Sequence, residues 1–436
     1  MRIEDSKLRF LLPGLRIKRF IFVIILGILL IIYSVFLLSV AISGSEYLSQ
    51  NALYIGKYFD SVFKSAIVEI ISVLLILLSA FLIYFGISSL LKSVSTALMP
   101  EKSYDEAMSI LFERRKENLK KKVVNIGGGT GTTAVLEGLR GKFLKISAII
   151  TVADSGGSSG RIRKELKVPP PGDIRNCLIS LTEENSFARK ILSYRFSAPN
   201  SCFDGHNLGN ILIAGFTKVT GDFAEAVLKL GKFLQIDGEV LPFTEDEAVL
   251  CAEFEDGVII EGESDIAERG GKIKRVFLKD GQIKPSLPAL QRIIEADIII
   301  IGPGSLYTSI MPPLLLPTIA DTIRRSKAIK VYVVNVMTEH GETDGFTASD
   351  HVREIVSVLG ENVLDYAIVN NRTFSEKVLQ KYAESHSFPV EIDKENIEKL
   401  GVRTIIGDFA EERGGLIRHN SDALREAIVK LKRKKA

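Results

Sequence analysis

Two long apolar runs lie near the N-terminus of the chain, separated by a more polar stretch. Phe20 to Ile42 contains 23 residues without a charged side chain, and Ile70 to Leu91 contains 22. About 20 apolar residues are enough to cross a bilayer as a helix. The apolar core of a signal peptide is shorter, roughly 7–15 residues. The pattern therefore predicts transmembrane helices over 20–42 and 70–91, and a pair of buried helices in a soluble protein is the weaker alternative.

The charged positions around these runs indicate their orientation. The stretch from 43 to 63 holds only Lys57 against Glu46 and Asp60. Basic residues are concentrated at the other two ends, namely Lys7, Arg9, Arg16, Lys18, Arg19, Lys92, Lys102, Arg114, Arg115 and Lys116. Because basic flanks stay in the cytoplasm, we expect a cytosolic segment over 1–19 and a short external loop, with the start of the second span, over 43–69. The predicted location is the cytoplasmic membrane, with both termini and the main domain in the cytoplasm.

A helical connector is predicted over 92–122. Ser103 and Glu106 have the spacing of a capping box, in which each side chain accepts from the other residue's backbone N–H. Apolar residues follow at helical spacing, so we predict a helix from about Tyr104 to Leu119. Its basic end would either contact anionic headgroups or form an ordinary solvated spacer.

From Val123 onward, short apolar strands alternate with helical patterns. The strands are predicted at 123–126, 146–152, 298–301, 329–336 and 366–369. This alternation predicts an α/β fold, a Rossmann-like doubly wound parallel sheet in a cytosolic domain over 123–436. Between about 248 and 283 the pattern is richer in strands, with hairpin-turn signals at 255–257 and 279–281. We predict a small β-rich insertion there.

Glycine-rich and polar loops follow these strands. The first strand runs into Gly127-Gly128-Gly129-Thr130-Gly131, and Gly129 to Ala134 fits G-x-G-x-x-A. A strand, a glycine turn and a helix can place backbone N–H groups around an anion. The alternative is a tight turn without a ligand. The second strand is followed by Asp154 and Ser155 in a glycine and serine run, where an acidic residue can hold a ribose hydroxyl or a metal ion.

Composition excludes several classes of function. Net charge is only +3, so no strongly basic surface for nucleic acid is predicted. The three cysteines, Cys177, Cys202 and Cys251, are far apart, which argues against a disulfide framework and a structural zinc site.

Magnesium is the one candidate metal, and Asp154, Asp173 and Asp204 would bind it only if the fold brings them together. For His206, which stands in a polar loop at a helix start, a structural hydrogen bond is favoured and catalysis is the weaker alternative.

Several long strings of the sequence resemble the YvcK family of gluconeogenesis factors. They are VVNIGGGTGTTAVLEGL, TVADSGGSSGRIRKEL, PPPGDIRNCLISL, HNLGNILIAG and IIIGPGSLYTSIMP. That family belongs to a CofD-like superfamily with 2-phospho-L-lactate transferase as its enzymatic relative, and the resemblance covers roughly 122–400. It implies a Rossmann-like domain that binds a UDP-sugar, typically UDP-N-acetylglucosamine, and a role in carbon metabolism, the cell envelope or cell shape. The two-helix anchor is an addition to the family pattern.

The resemblance also implies site residues. Gly128 to Thr130 would hold a diphosphate, and Asp154, the one candidate for catalysis, would face a second pocket. The expected ligand-binding residues are Gly127, Gly128, Gly129, Thr130, Gly131, Asp154, Ser155, Asp173, Arg175, Asn176, His206, Asn207, Asn210, Gly304, Ser305, Asn335 and Asn370. A nucleotide-sugar sensor without turnover is favoured. The alternative is a transferase acting on a guanylyl donor and a deazaflavin precursor, and a dehydrogenase is a distant third. A homodimer is expected, and the sequence does not identify protein partners.

Overall fold

The computed structural model describes residues 17–50, 55–98, 103–106, 108–109, 120–141, 144–152, 157–199, 201–279 and 283–432. The chain divides into two compact units, Met1–Leu119 and Lys120–Ala436. The first unit holds the two apolar helices. The second holds the sheets and the glycine turns.

Two long helices, α1 (Ile17–Gln50) and α2 (Ile55–Leu98), form the N-terminal unit. Their most apolar parts, Ile17–Ser39 and Ala66–Ala97, are long and apolar enough to cross a membrane. Both helices continue past these parts, so residues 43–50 and 55–69, predicted as a loop and the start of the second span, are helical.

Small residues let the two helices approach closely. A Cβ atom added at Gly27 would lie 2.7 Å from Cγ1 of Ile83, and one added at Gly86 would lie 2.6 Å from Cγ1 of Ile24. Ser72 and Ser79, which precede Gly86 at seven-residue spacing, are fully buried. Their hydroxyls donate to the carbonyls of the residues four positions earlier. Close packing through small residues is how helices associate where lipid removes the hydrophobic driving force.

The predicted capping box is confirmed. The N–H of Ser103 donates to Oε2 of Glu106 at 3.0 Å, and the N–H of Glu106 donates to Oγ of Ser103 at 3.3 Å. Residues 104–106 and 108–109 are helical, and the rest of the predicted helix to Leu119 lies outside the described residues.

The second unit is built on a seven-stranded sheet, with a three-stranded sheet and a hairpin beside it. The strands are β1 (Lys121–Gly127), β2 (Leu144–Ile150), β3 (Glu239–Pro242), β4 (Leu250–Phe254), β5 (Ile259–Glu261), β6 (Ile273–Leu278), β7 (Ile298–Ile301), β8 (Ile329–Val333), β9 (Tyr366–Asn370), β10 (Arg403–Gly407), β11 (Ala410–Arg413) and β12 (Leu416–His419). The first three and β7 to β10 form the large sheet.

Helices connect these strands. They are α3 (Gly129–Leu139), α4 (Gly157–Leu166), α5 (Gly172–Ser180), α6 (Phe187–Ser193), α7 (Leu208–Thr220), α8 (Phe223–Phe233), α9 (Glu263–Arg269), α10 (Leu287–Glu295), α11 (Met311–Leu314), α12 (Pro317–Arg325), α13 (Ala348–Leu359), α14 (Glu376–Ala383), α15 (Lys394–Lys399) and α16 (Ser421–Val429). A π-helical turn, Leu306–Ile310, precedes α11.

The large sheet has the order β10-β9-β8-β7-β1-β2-β3, and its neighbouring strands are all parallel. The chain starts in the middle at β1, moves out to β3 and returns to β7 on the other side of β1. The predicted α/β fold with a doubly wound parallel sheet is thus confirmed. The direction of winding reverses between β1 and β7, and ligands of such sheets bind outside the carboxyl ends of the strands at that point.

Two smaller β elements complete the unit. The stretch predicted as β-rich contains β4, β5 and β6, which form an antiparallel sheet of order β5-β4-β6. Near the C-terminus, β11 and β12 form an antiparallel hairpin. Strands such as Ile298–Ile301 are buried at every position, because helices cover both faces of a parallel sheet.

Candidate functional site

A cavity of about 590 Å³ lies at the point where the winding of the sheet reverses. One wall consists of the two glycine turns that follow β1 and β7. The segment after β8 contributes Asn335 and Glu339, which contact the turn after β7. The end of α14 and strand β12 form the opposite wall. Predicted site residues that line it are Gly128, Gly129, Gly131, Gly304, Ser305 and Asn335.

The glycine turn after β1 is required by close packing of the backbone. Gly128 is extended, and α3 begins at Gly129, whose φ of +65° is favourable only for glycine. A Cβ atom at Gly128 would lie 2.4 Å from Cγ2 of Thr151, and one at Gly131 would lie 2.6 Å from the carbonyl oxygen of Pro303. The turn brings the ends of three strands, β2, β1 and β7, into direct contact.

An acidic side chain already occupies the start of α3. The N–H of Gly129 donates to Oδ2 of Asp173 at 2.9 Å. Asp173 lies in the first turn of α5, on the β2 side of the glycine turn. The N–H group that the motif offers to a phosphate therefore has an internal partner in this structure.

The turn after β7 is held by two asparagines. Nδ2 of Asn125, a fully buried residue of β1, donates to the carbonyl oxygens of Ile300 at 3.3 Å and Gly302 at 2.8 Å. Oδ1 of Asn335 accepts from the N–H of Gly304 at 3.2 Å. These bonds fix the distance between the ends of β1 and β7, and hence the width of the cavity at its glycine wall.

Two glutamates after β8 hold the next residues of that turn. Oε1 of Glu339 accepts from the hydroxyl of Ser305 at 2.8 Å. Glu342 accepts from the N–H of Tyr307 at 3.0 Å and from the hydroxyl of Thr308 at 2.8 Å. Burial, and then the neighbouring Glu339, raise the pKa of Glu342 to about 7, although its hydrogen bonds oppose the rise. Burial also raises the pKa of Glu339, against the effect of the Ser305 hydroxyl.

The opposite wall is cationic. Lys381 and Arg418 line the cavity and are exposed. Neither makes an ion pair with any residue of the described ranges, and Nζ of Lys381 only approaches the carbonyl of Gly415 at 3.5 Å. The hydroxyl of Tyr382 fixes β12 in place, because it accepts from the N–H of Ile417 at 2.9 Å and donates to its carbonyl at 3.3 Å. A second cavity of about 320 Å³ shares Gly131, Tyr382 and all of β12, including Arg418, with the first.

Other predicted residues form a polar network on the β2 side of the glycine turn. Oγ of Ser158 contacts Nδ1 of His206 at 3.2 Å, Nδ2 of Asn210 at 3.3 Å and the N–H of Asn207 at 3.4 Å. These three partners and the Cβ atom of Ser158 surround its hydroxyl oxygen, which argues for a structural role of Ser158. Asn207 also caps α7 by accepting from the N–H of Gly209.

The same network includes Arg175. Its guanidinium donates to Oδ1 of Asn210 at 3.2 Å and to Oδ1 of Asn176 at 2.7 Å. Arg175, Asn176, His206, Asn207 and Asn210 do not line the cavity described above. The structure thus divides the predicted residues between two sides of the glycine turn.

The remaining predicted residues have other positions. Asp154 and Ser155 lie outside the described residues, as does the side chain of Thr130. Gly127 packs against the side chain of Thr132. Oδ1 of Asn370 accepts from the N–H of Phe409 at 3.0 Å, which stabilises a turn away from the cavity lining.

The acidic residues proposed for magnesium have separate hydrogen-bond partners. Asp173 accepts from Gly129, and Asp204 accepts from the N–H of Ala198 at 2.9 Å. Within the described ranges no group of three His, Cys, Asp or Glu side chains is placed to hold a metal ion. Among the acidic and basic residues that line the cavity, sequence reasoning missed Glu339, Lys381 and Arg418. It also missed Glu342, which does not line the cavity but holds the turn after β7.

Comparison with known proteins places the second unit in a family. The sequence model described as 2-phospho-L-lactate transferase CofD matches residues 123–410. A gluconeogenesis factor of Halalkalibacterium halodurans is 47% identical over 71% of this chain and 96% of its own. One of Bacillus subtilis is 44% identical over 72% of this chain and 98% of its own. A crystal structure of a Bacillus halodurans protein, 47% identical, has a TM-score of 0.69 and covers 71% of this chain and 100% of that chain.

One relative extends the similarity toward the N-terminus. A relative in Clostridium acetobutylicum, also described as a gluconeogenesis factor, is 36% identical over 422 residues, which are 96% of this chain and 90% of its own. An alignment of that length includes the N-terminal helices.

Proposed function

Since the chain belongs to the CofD family and groups within it with the gluconeogenesis factors of the YvcK type, we propose that it is a membrane-tethered regulatory protein that binds a nucleotide-sugar. The ligand class is a UDP-sugar such as UDP-N-acetylglucosamine. Binding reports the supply of that sugar nucleotide to carbon metabolism, to envelope synthesis or to the control of cell shape.

The observation that carries the proposal is the cavity between the glycine turns and the cationic wall. Its volume of about 590 Å³ falls within the range of small-molecule sites, roughly 300–1,000 Å³. Arg418 and Lys381 offer positive charge without a carboxylate partner among the described residues. A guanidinium and an ammonium are the side chains that hold phosphate groups. The glycine turns leave room on the opposite wall for the rest of the ligand.

The two apolar helices supply the tether. Their lengths and hydropathies suit a bilayer, and basic flanks favour a cytoplasmic position for the second unit. A sensor held at the cytoplasmic membrane would respond to its ligand where envelope precursors are consumed.

The test is ligand binding by the full-length protein in lipid nanodiscs. UDP-N-acetylglucosamine should bind and raise the unfolding temperature, because a ligand at 100 times its Kd stabilises the native state by about 2.7 kcal/mol. Arg418→Ala should weaken binding by more than about tenfold, the scale of one lost charge-assisted contact. Arg413→Ala is the matched control, since Arg413 lies on the same hairpin and lines only the second cavity.

A second candidate function follows from the description of the matched family. If guanine nucleotides bind and UDP-sugars do not, the transferase alternative replaces the sensor. If neither class of nucleotide binds, the proposal is wrong and the glycine turns have a structural role alone.

A further inference from the structure

The two ends of the cavity carry opposite charge. At the glycine end, Glu339 lines the cavity beside Ser305. Asp173 does not line the cavity but lies directly behind this wall, where it accepts from the N–H of Gly129. At the other end stand Lys381 and Arg418. A ligand that has a charged diphosphate and a neutral glycosyl group therefore fits this cavity better in one direction than in the other.

The carboxylate of Asp173 lies close to both residues that begin the helix. Its Oδ2 accepts from the N–H of Gly129 at 2.9 Å, and the same atom would lie 2.9 Å from a Cβ atom built at Gly128. A helix N-terminus attracts anions through its free N–H groups and its partial positive charge. Here a carboxylate already takes one of those N–H groups and offsets the charge, so a phosphate at the same point would meet an anion instead of a donor.

We propose that Asp173 is a specificity-determining residue that excludes phosphate from the glycine turn and so sets the direction in which the ligand binds. The diphosphate lies against Lys381 and Arg418. The hydroxyl-rich glycosyl group lies against the glycine turns. This inference rests on the proposed function and adds the orientation of the ligand.

The glycosyl group has suitable partners at that end. Carboxylates accept hydrogen bonds from hydroxyl groups, and Glu339 lines the cavity with one oxygen bonded to Ser305. Ser309 lines the same wall. Gly128, Gly129 and Gly131 leave part of this wall without side chains, so a sugar ring can approach the backbone closely there.

The first experiment compares affinities in full-length protein in nanodiscs, with UDP-N-acetylglucosamine, UDP and inorganic pyrophosphate as probes. Asp173→Asn keeps an oxygen for the N–H of Gly129 and removes the charge. We expect UDP and pyrophosphate to bind the variant about tenfold or more tightly than the native protein, because a like charge near the phosphate is gone. The affinity for UDP-N-acetylglucosamine should change much less, so the preference for the sugar nucleotide over UDP falls.

Asp297→Asn is the matched control. Oδ2 of Asp297 accepts from the N–H of Lys122 at 2.8 Å, at the opposite edge of the sheet, so the control removes one similar carboxylate and should leave the three affinities unchanged. An unaltered ratio of UDP-sugar to UDP affinity in Asp173→Asn would overturn the proposal while leaving the proposed function intact. Loss of magnesium-dependent phosphate binding in that variant would also overturn it, since Asp173 would then recruit a cation to the phosphate.

The second experiment reads the orientation in the unaltered protein, in case the Asp173 variant does not fold. A UDP-sugar with a photoreactive diazirine on its glycosyl group is bound, irradiated and located by peptide mass spectrometry. We expect labelling within 127–133 or 302–310. Labelling confined to 381–387 or 416–419 would place the sugar on the cationic wall and refute the inference. Absence of binding by any UDP compound would instead count against the proposed function itself.

Discussion

Glu342 is expected to make the stability of the second unit depend on pH. Its side chain is 5% exposed and holds the turn after β7. A rise of its pKa from 4.5 to about 7 means that the native state keeps a proton which the unfolded chain loses between those values. Stability from this group is therefore greatest below about pH 4.5 and falls as pH rises to about 7. The loss is about 3 kcal/mol at 1.36 kcal/mol per pKa unit.

The change that tests this is Glu342→Gln, which keeps the shape and one acceptor but does not titrate. Urea unfolding of the fragment 120–436, the second compact unit, gives the free energy of unfolding at pH 5 and pH 8. A relative whose whole length matches 71% of this chain crystallises by itself, which supports independent folding of this unit. The variant should be close to the native protein at pH 5 and more stable at pH 8 by about 2–3 kcal/mol. Glu268→Gln changes an exposed carboxyl of α9 and should leave the profile unchanged. Parallel profiles for Glu342→Gln and the native protein would refute the reasoning.

Three further predictions concern the helices and the glycine turn. Gly86→Leu should separate the two apolar helices, because even a Cβ atom there meets Ile24 at 2.6 Å. The separation is measured as the loss of a disulfide cross-link between cysteines placed on the two helices. Gly131→Ala should destabilise the second unit by about 1–3 kcal/mol in urea unfolding. In the control Gly215→Ala, the added Cβ atom meets no other atom within 4 Å, so this change should stabilise the unit by about 0.5–1 kcal/mol. Equal effects of the two changes would contradict the packing argument. The cysteine introduced by Ser49→Cys should react with a membrane-impermeant thiol reagent in intact cells, and the one introduced by Lys102→Cys should not. The reverse pattern would exclude a cytoplasmic second unit.

The sheet was predictable from the sequence because its strands carry a local signal. Ile298–Ile301 is apolar at every position and is followed at once by Gly302, which marks both a buried parallel strand and its end. The same local signal placed the glycine turns at the carboxyl edge. The order of the strands, however, depends on pairings between distant segments such as β1 and β7, which no local pattern specifies.

The glycine motif predicted the shape of the turn better than its ligand. Close approach is what requires glycine at 128 and 131, because Thr151 approaches Gly128 and Pro303 approaches Gly131. A carboxylate from a helix 44 residues later takes the N–H of Gly129. Its position follows from the packing of α5 beside α3, which spacing along the chain does not reveal.

The cationic wall was missed for a related reason. Lys381 and Arg418 belong to no motif and are surrounded by ordinary charged residues in the sequence. A glycine pair at 414–415 marks the turn between β11 and β12, but tertiary contacts such as the hydrogen bonds between Tyr382 and Ile417 bring that hairpin to the cavity. Asn370 is the opposite case. It was predicted to bind the ligand, but its side chain holds a turn by accepting from the N–H of Phe409.

The position of the β11–β12 hairpin has a practical consequence for fragment boundaries. The family match ends at residue 410, whereas Leu416 to His419 line the cavity. A recombinant protein ended at the family boundary would keep all seven strands of the large sheet and both glycine turns. It would lose Arg418 and one side of the cavity, and its failure to bind a ligand would be misread as a property of the family domain. Exchanging 410–432 between relatives, in contrast, offers a route to alter ligand preference without disturbing the sheet.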